Sequence, residues 1–276
     1  MGIRMKEYLE NVRRQVPLIH NITNYVTAND VANALLAAGA SPIMADEPDE
    51  AAEITSHCRG LHINLGTLHL RTIQAMLLAG RKANELGHPV LLDPVGVGAS
   101  SLRRDMAISL MEQIRFDVIR GNVSELKTLA GGTSSAGGVD ADSADAVTEE
   151  NLDRMTVFAK RYSAARRAIV AITGAIDLVA DADRCFVIRN GCQEMSRVTG
   201  TGCQLSGLMT AFVSANPGHK LEASAAAVIL MGLAGEIGVR NLQPGEGNAA
   251  LRTRMIDAIY NMTGERLEKG ADYDIR

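Results

Sequence analysis

Residues 61–98 read LHINLGTLHLRTIQAMLLAGRKANELGHPVLLDPVGVG. Residues 61–65 form a short apolar run of strand length. Residues 70–86 form a long stretch with helical period, and Gly87 stands where a helix is closed by a left-handed residue. Residues 89–92 form a second short strand, followed by the polar and glycine-rich Asp93-Pro94-Val95-Gly96-Val97-Gly98. Two strands joined by a helix form the repeating unit of a parallel sheet covered on both faces.

The same rhythm extends outward. Toward the N-terminus the spacing predicts helices over 5–15, 26–38 and 49–58 and a strand over 41–44. Toward the C-terminus it predicts a helix over 103–113, a strand over 118–119, a helix over 149–164 and a strand over 168–172. Strands 177–180 and 185–189 flank Asp181-Ala182-Asp183 as a hairpin. The last third reads as helices 203–215, 221–239 and 249–262. Residues 131–146 (GGTSSAGGVDADSADA) are small, acidic and aperiodic, and read as a surface loop because the alternation resumes directly after them. The expectation is one α/β domain over residues 1–276, a mostly parallel central sheet between helices.

The chain has 276 residues with 28 Lys plus Arg against 32 Asp plus Glu, a net charge of −4 that argues against a nucleic-acid partner. Hydrophobic residues at 46% supply a large core, which excludes disorder as the main state. Aromatics at 3% leave too few rings for base- or sugar-stacking platforms. The four cysteines contain no CxxC pair and fit a reduced cytoplasmic compartment. The first ten residues carry no apolar core of a signal peptide, and the apolar stretch 223–235 is short of a bilayer span, so no membrane association is expected.

Function should gather where an open parallel sheet binds ligands, at the carboxyl ends of its strands. The segments just after the predicted strands are polar or glycine-rich: Met44-Ala45-Asp46, Asn64-Leu65-Gly66-Thr67, Asp93 to Gly98, Arg120-Gly121-Asn122-Val123-Ser124-Glu125 and Thr173-Gly174. Val198-Thr199-Gly200-Thr201-Gly202-Cys203 then leads into an uncharged helix. Glycines at a helix start can turn several N–H groups toward one anion, although the same letters also describe a plain helix start. No Gly-Lys dipeptide exists, so there is no P-loop, and Gly200-x-Gly202 misses the dinucleotide-binding spacing.

Asp93-Pro94-Val95, Asn122-x-x-Glu125, Thr173-Gly174 and Gly200-Thr201-Gly202-Cys203 together resemble the ribokinase-like superfamily of small-molecule kinases. Cys203, where most members carry Asp, and His20-Asn21-Ile22-Thr23-Asn24-Tyr25-Val26 resemble the hydroxyethylthiazole kinase family within it. The resemblance runs from about Tyr8 to about Met262. It implies a ribokinase-like three-layer sandwich that transfers phosphate from ATP to 4-methyl-5-(2-hydroxyethyl)thiazole in thiamine salvage.

It also implies residue roles. Gly200 to Cys203 would cradle the transferred phosphoryl group, with Thr201, Gly202, Arg120 and Thr173 on ATP. Glu125 and Asp93 would hold Mg²⁺, and Asn24, Met44 and Gly200 would touch the alcohol. A homotrimer with interface active sites follows from the same resemblance. Spacing alone fits Asn122 and Glu125 equally to a capping box, and Asn24 to a helix cap. Cys203 could act as a base, since a helix start lowers a thiol's pKa, or could only shape the pocket. His57, His62, His69 and His88 fit no zinc spacing, and Cys185 and Cys192 read as small buried thiols. Two rivals remain: a kinase for another vitamin alcohol, and a nucleotide-binding sensor without catalysis.

Overall fold

The computed structural model describes residues 3–131 and 146–276; the loop reading for 131–146 therefore lies almost wholly outside the described residues. The chain runs α1 (Met5–Gln15), β1 (Leu18–Ile22), α2 (Ala28–Ala38), β2 (Ser41–Met44), α3 (Pro48–His57), β3 (Gly60–Asn64), α4 (Leu70–Leu86), β4 (Val90–Asp93), α5 (Ser101–Gln113), β5 (Val118–Gly121) and α6 (Val123–Leu129). It continues with α7 (Leu152–Arg166), β6 (Ile169–Ile172), β7 (Asp177–Ala180), β8 (Cys185–Ile188), α8 (Thr201–Ala215), α9 (Lys220–Arg240), α10 (Asn248–Tyr260), α11 (Gly264–Gly270) and β9 (Tyr273–Ile275).

All nine strands form one sheet, in the order β2-β1-β3-β4-β5-β6-β7-β8-β9. The first six positions are parallel, with Leu61 opposite Val90, Leu91 opposite Val118 and Val118 opposite Ile169. β7, β8 and β9 join antiparallel, so the sheet is mixed beyond β6. Strands β4 to β8 feed both cores by period-two alternation. Val90 and Leu92 pack with α4 to α7, while Leu91 between them packs with α8 and α9. A sheet buried on both faces needs short continuous apolar strands, which is why β4 is only Val-Leu-Leu-Asp.

Helices α8 and α9 are apolar nearly all round because they lie inside the molecule. Gly207 lets α8 meet α2 closely, since a Cβ there would stand 2.9 Å from Val31 Cγ1. α9 has 21 residues and by length and composition could cross a membrane, yet 83% of its apolar window is buried inside the protein. The apolar stretch 223–235 is thus the middle of a longer core helix.

Most expected elements form within two or three residues of their predicted bounds. The expected helix 26–38 starts later, at Ala28, because Asn24 Oδ1 takes the Thr27 N–H at 3.1 Å and holds 24–27 in a turn. β1 was not anticipated: Leu-Ile-His-Asn-Ile carries two polar residues that look unsuited to an interior strand. Both are buried and satisfied, His20 by Thr55 Oγ1 (2.9 Å) and Ala45 O (2.8 Å), and Asn21 by Ile19 O (2.9 Å). β9 was also missed, because only pairing with β8 makes its three residues a strand.

Candidate functional site

α8 begins at Gly200, whose φ of +82° is the left-handed conformation that suits glycine. A Cβ there would stand 2.3 Å from Thr27 Cγ2. No side chain caps this helix start. The first intrahelical bond is Gln204 N–H to Gly200 O at 2.9 Å, so Thr201, Gly202 and Cys203 have N–H groups without an intrahelical acceptor. α8 packs across β1, β3, β4 and β5, which places these amides over the carboxyl ends of the strands. The arrangement suits an anion.

Beneath the helix start lies a buried polar network. Asp93, the last residue of β4, is fully buried, and its Oδ2 accepts from Asn64 Nδ2 at 2.8 Å and Ser206 Oγ at 2.9 Å. Asn64, the last residue of β3, also donates to Cys203 Sγ at 3.3 Å. Its Oδ1 accepts from Asn24 Nδ2 at 3.0 Å and Gly66 N at 2.9 Å. Asn24 Nδ2 reaches Cys203 Sγ at 3.3 Å, while its Oδ1 accepts the Thr27 hydroxyl at 3.1 Å. Asn24 therefore serves both as the turn residue before α2 and as a partner of Cys203.

Burial, followed by the nearby Asp93 charge, pushes the Cys203 thiol above its ordinary value, and the helix start does not overcome this. The reading of Cys203 as a base made available by a lowered pKa is thus corrected: the structure holds a neutral thiol that accepts two amide N–H bonds. Burial likewise drives the Asp93 carboxyl up, opposed by Arg120.

Arg120, on β5, connects this network to the nucleotide-sized space. Its Nη2 donates to Thr173 Oγ1 at 2.6 Å, and its Nη1 lies 3.5 Å from Asp93 Oδ1. A Cβ on Gly202 would come within 2.5 Å of both Nη1 and Nη2, so the guanidinium lies directly against the glycine of the helix start. Arg120, Thr173, Thr201 and Gly202 line a cleft of about 720 Å³ whose far wall includes Met231 and Gly232 of α9. That volume suits a nucleotide. Cys192 lines the same cleft half-buried, so it is not the core thiol expected of it.

Glu125 and Asn122 form the reciprocal capping box at the start of α6. Glu125 Oε2 accepts from Asn122 N at 2.8 Å and Oε1 from Gly96 N at 2.9 Å. Burial and then Asp93 push the Glu125 carboxyl up to about 6. Two buried carboxylates, Glu125 raised in part by Asp93 and Asp93 raised by its burial, with Asp93 Oδ1 lacking any hydrogen-bond partner, fit a divalent cation. Among the described residues no group of three or more His, Cys, Asp or Glu could hold a metal. Such a pair suits a cation that keeps waters and phosphate oxygens as its remaining ligands, as Mg²⁺ does.

Of the residues singled out from the sequence, Asn24, Asp93, Arg120, Glu125, Thr173, Gly200, Thr201, Gly202 and Cys203 meet at this rim. Met44 does not join them within the chain. It ends the edge strand β2 beside Asn21, is 39% exposed and lies outside the cleft. Asn64, Ser206 and Thr27 escaped notice as individuals. Asn64 was visible only as part of a polar segment after a strand, and nothing local marks Ser206. Of the histidines, His62 is buried and pushed down to about 3 by burial and Arg120, hence a neutral core residue bonded to Asn21 Oδ1 at 3.1 Å.

The sequence profile of the hydroxyethylthiazole kinase family matches residues 9–265. A hydroxyethylthiazole kinase from Clostridium acetobutylicum is 54% identical over 270 residues, covering 98% of this chain and 99% of that protein. A solved hydroxyethylthiazole kinase protein from Pyrococcus horikoshii superposes with a TM-score of 0.86 at 33% identity, covering 99% of this chain and 98% of that one. A ribokinase-like superfamily protein from Enterococcus faecalis, at 13% identity and a TM-score of 0.59 over 94% of this chain and 99% of that one, shares the fold.

Proposed function

Since the chain belongs to the hydroxyethylthiazole kinase family, we propose that it transfers the terminal phosphoryl group of ATP to the hydroxyl of 4-methyl-5-(2-hydroxyethyl)thiazole, in thiamine salvage in the cytoplasm, with residues 1–276 acting as one kinase unit. The observation that carries this reading is the uncapped start of α8, lying over a buried carboxylate and against Arg120 at one end of the cleft.

Phosphoryl transfer depends on positioning and on stabilising charge over the equatorial oxygens. The amides of Thr201, Gly202 and Cys203 supply preorganised donors where that charge grows. Arg120, steadied by Thr173 and Asp93, adds a fixed positive charge on the same group. Asp93 and Glu125 would hold Mg²⁺ directly or through water, and the bound cation would supply neutralisation of phosphate charge. Asn24, Gly200 and Met44 face the alcohol. Cys203 accepts two amide bonds and shapes the wall beside the hydroxyl; a loose transition state asks little of a base.

The reading includes a homotrimer. Tyr25, Val26, Leu36, Met44 and Leu70 are apolar and exposed, and Asn24 lies next in sequence to two of them. A neighbouring copy seated there would cover them and bring Met44 against a pocket. Light scattering should then give three times 29.4 kDa.

The deciding assay is ADP release with ATP and Mg²⁺, with and without the thiazole alcohol, beside pyridoxal and hydroxymethylpyrimidine. Release dependent on the thiazole alcohol is expected. Turnover with another alcohol instead makes the chain a different vitamin kinase. ATP binding without ADP from any alcohol makes it a nucleotide sensor.

A further inference from the structure

One cation behind the site grips two of its loops at once. Arg103 stands in the first turn of α5, where Ser100 Oγ accepts its backbone N–H at 3.3 Å. Its Nη2 donates to Gly66 O at 2.6 Å and its Nη1 to Val95 O at 3.0 Å. These carbonyls belong to different segments, one following β3 and the other following β4. Each segment also sends an amide into the site. Gly66 N–H binds Asn64 Oδ1 at 2.9 Å, and Gly96 N–H binds Glu125 Oε1 at 2.9 Å.

Both glycines are required by the closeness of this packing. A Cβ on Gly66 would lie 2.8 Å from Asn24 Cβ and Nδ2. A Cβ on Gly96, whose φ is +65°, would lie 2.5 Å from Arg103 Nη1. Among the described residues no carboxylate pairs with Arg103, so its charge strengthens the two carbonyl bonds instead.

We infer that Arg103 is a positioning residue for phosphoryl transfer, setting the spacing between the Asn24–Asn64 end of the site and the Glu125 end. The planar fork holds two carbonyls in fixed relation, which a lysine ammonium on a flexible stem does not do. The reading puts Asn24 on the alcohol and Glu125 on the phosphate-bound cation, so the alignment of the two depends on how these two segments are held together. The inference rests on the kinase reading above.

The test compares wild type with Arg103→Ala and Arg103→Lys. For Arg103→Ala, kcat should fall about 10²-fold, the scale that follows a misplacement of reacting groups of about 1 Å. KM for the thiazole alcohol should rise severalfold, while KM for ATP stays within about twofold, because Arg120, Thr173 and the α8 start do not touch Arg103. Millimolar guanidinium should restore part of the lost kcat. Arg103→Lys should fall between the two. Unchanged constants overturn the inference. So does a loss of kcat alone with no response to guanidinium, which marks a smaller active fraction. Should Arg103→Ala not fold, Arg103→Lys is read by amide exchange without ligand. Faster exchange at 65–67 and 94–98 with α8 unchanged supports the inference, and unchanged exchange refutes it. A wild type that releases no ADP with the thiazole alcohol defeats the kinase reading, while the exchange measurement still decides whether Arg103 holds the two loops.

Discussion

Asn64→Asp replaces an amide by a carboxyl of the same shape, 2.8 Å from Asp93 Oδ2. Asn64 is 2% exposed and Asp93 is fully buried, so neither charge can escape into water. At 2.8 Å and an effective permittivity of about 20, two full charges repel by about 6 kcal/mol. One carboxyl of the pair therefore stays protonated in the folded protein across the neutral range. An unfolded carboxyl ionises near 3.9, so above that pH the unfolded state has released a proton that the folded variant retains. Stability is then lost as pH rises, by about 1.4 kcal/mol per unit, or about 2.7 kcal/mol between pH 5 and pH 7. For a chain of this size the gap in Tm between wild type and variant should widen by about 5 °C over that interval. The measurement is thermal denaturation of both proteins at pH 5 and pH 7. An equal gap at the two values would mean that Asn64 and Asp93 do not share a buried contact beneath the α8 start.

Gly202→Ala should raise KM for ATP and cut kcat by about 10²-fold, because the new methyl displaces an Arg120 guanidinium held by Thr173 and Asp93; steady-state kinetics at varied ATP check this, and wild-type constants would refute it. Cys203→Ala should keep kcat within about tenfold of wild type near pH 7.5, since the buried thiol is neutral and only one of several groups around the hydroxyl. In metal-free protein the raised Glu125 carboxyl makes the fold lose stability as pH climbs from its ordinary range through about 6. A cation held by the ionised pair offsets that loss, so Mg²⁺ should raise Tm more at pH 7.5 than at pH 5, and equal gains would remove the metal from Asp93 and Glu125.

Local signals account for much of this protein. Short apolar runs between helical stretches made five of the six parallel strands legible, because a strand buried on both faces has no alternation to confuse it. Glycine and polar residues after those strands marked the rim, and Gly200 and Gly202 marked the helix start. β1 stayed hidden because His20 and Asn21 look wrong for an interior strand until their partners on α3, β3 and the β2 exit are known. β9 stayed hidden because three residues form a strand only beside another one.

The sequence by itself determined most of the alternation of strands and helices, the strand ends at which chemistry gathers and most residues that meet there, since these follow from composition and period along the chain. Only the tertiary structure decided how those residues act on one another. Asn64 became the link between Asp93 and Cys203, the Cys203 thiol went up rather than down, and Arg103 came to grip two loops. Hydrogen bonds and desolvation depend on distances across the fold, between residues as far apart as Asn24 and Cys203, and no local pattern of letters encodes them.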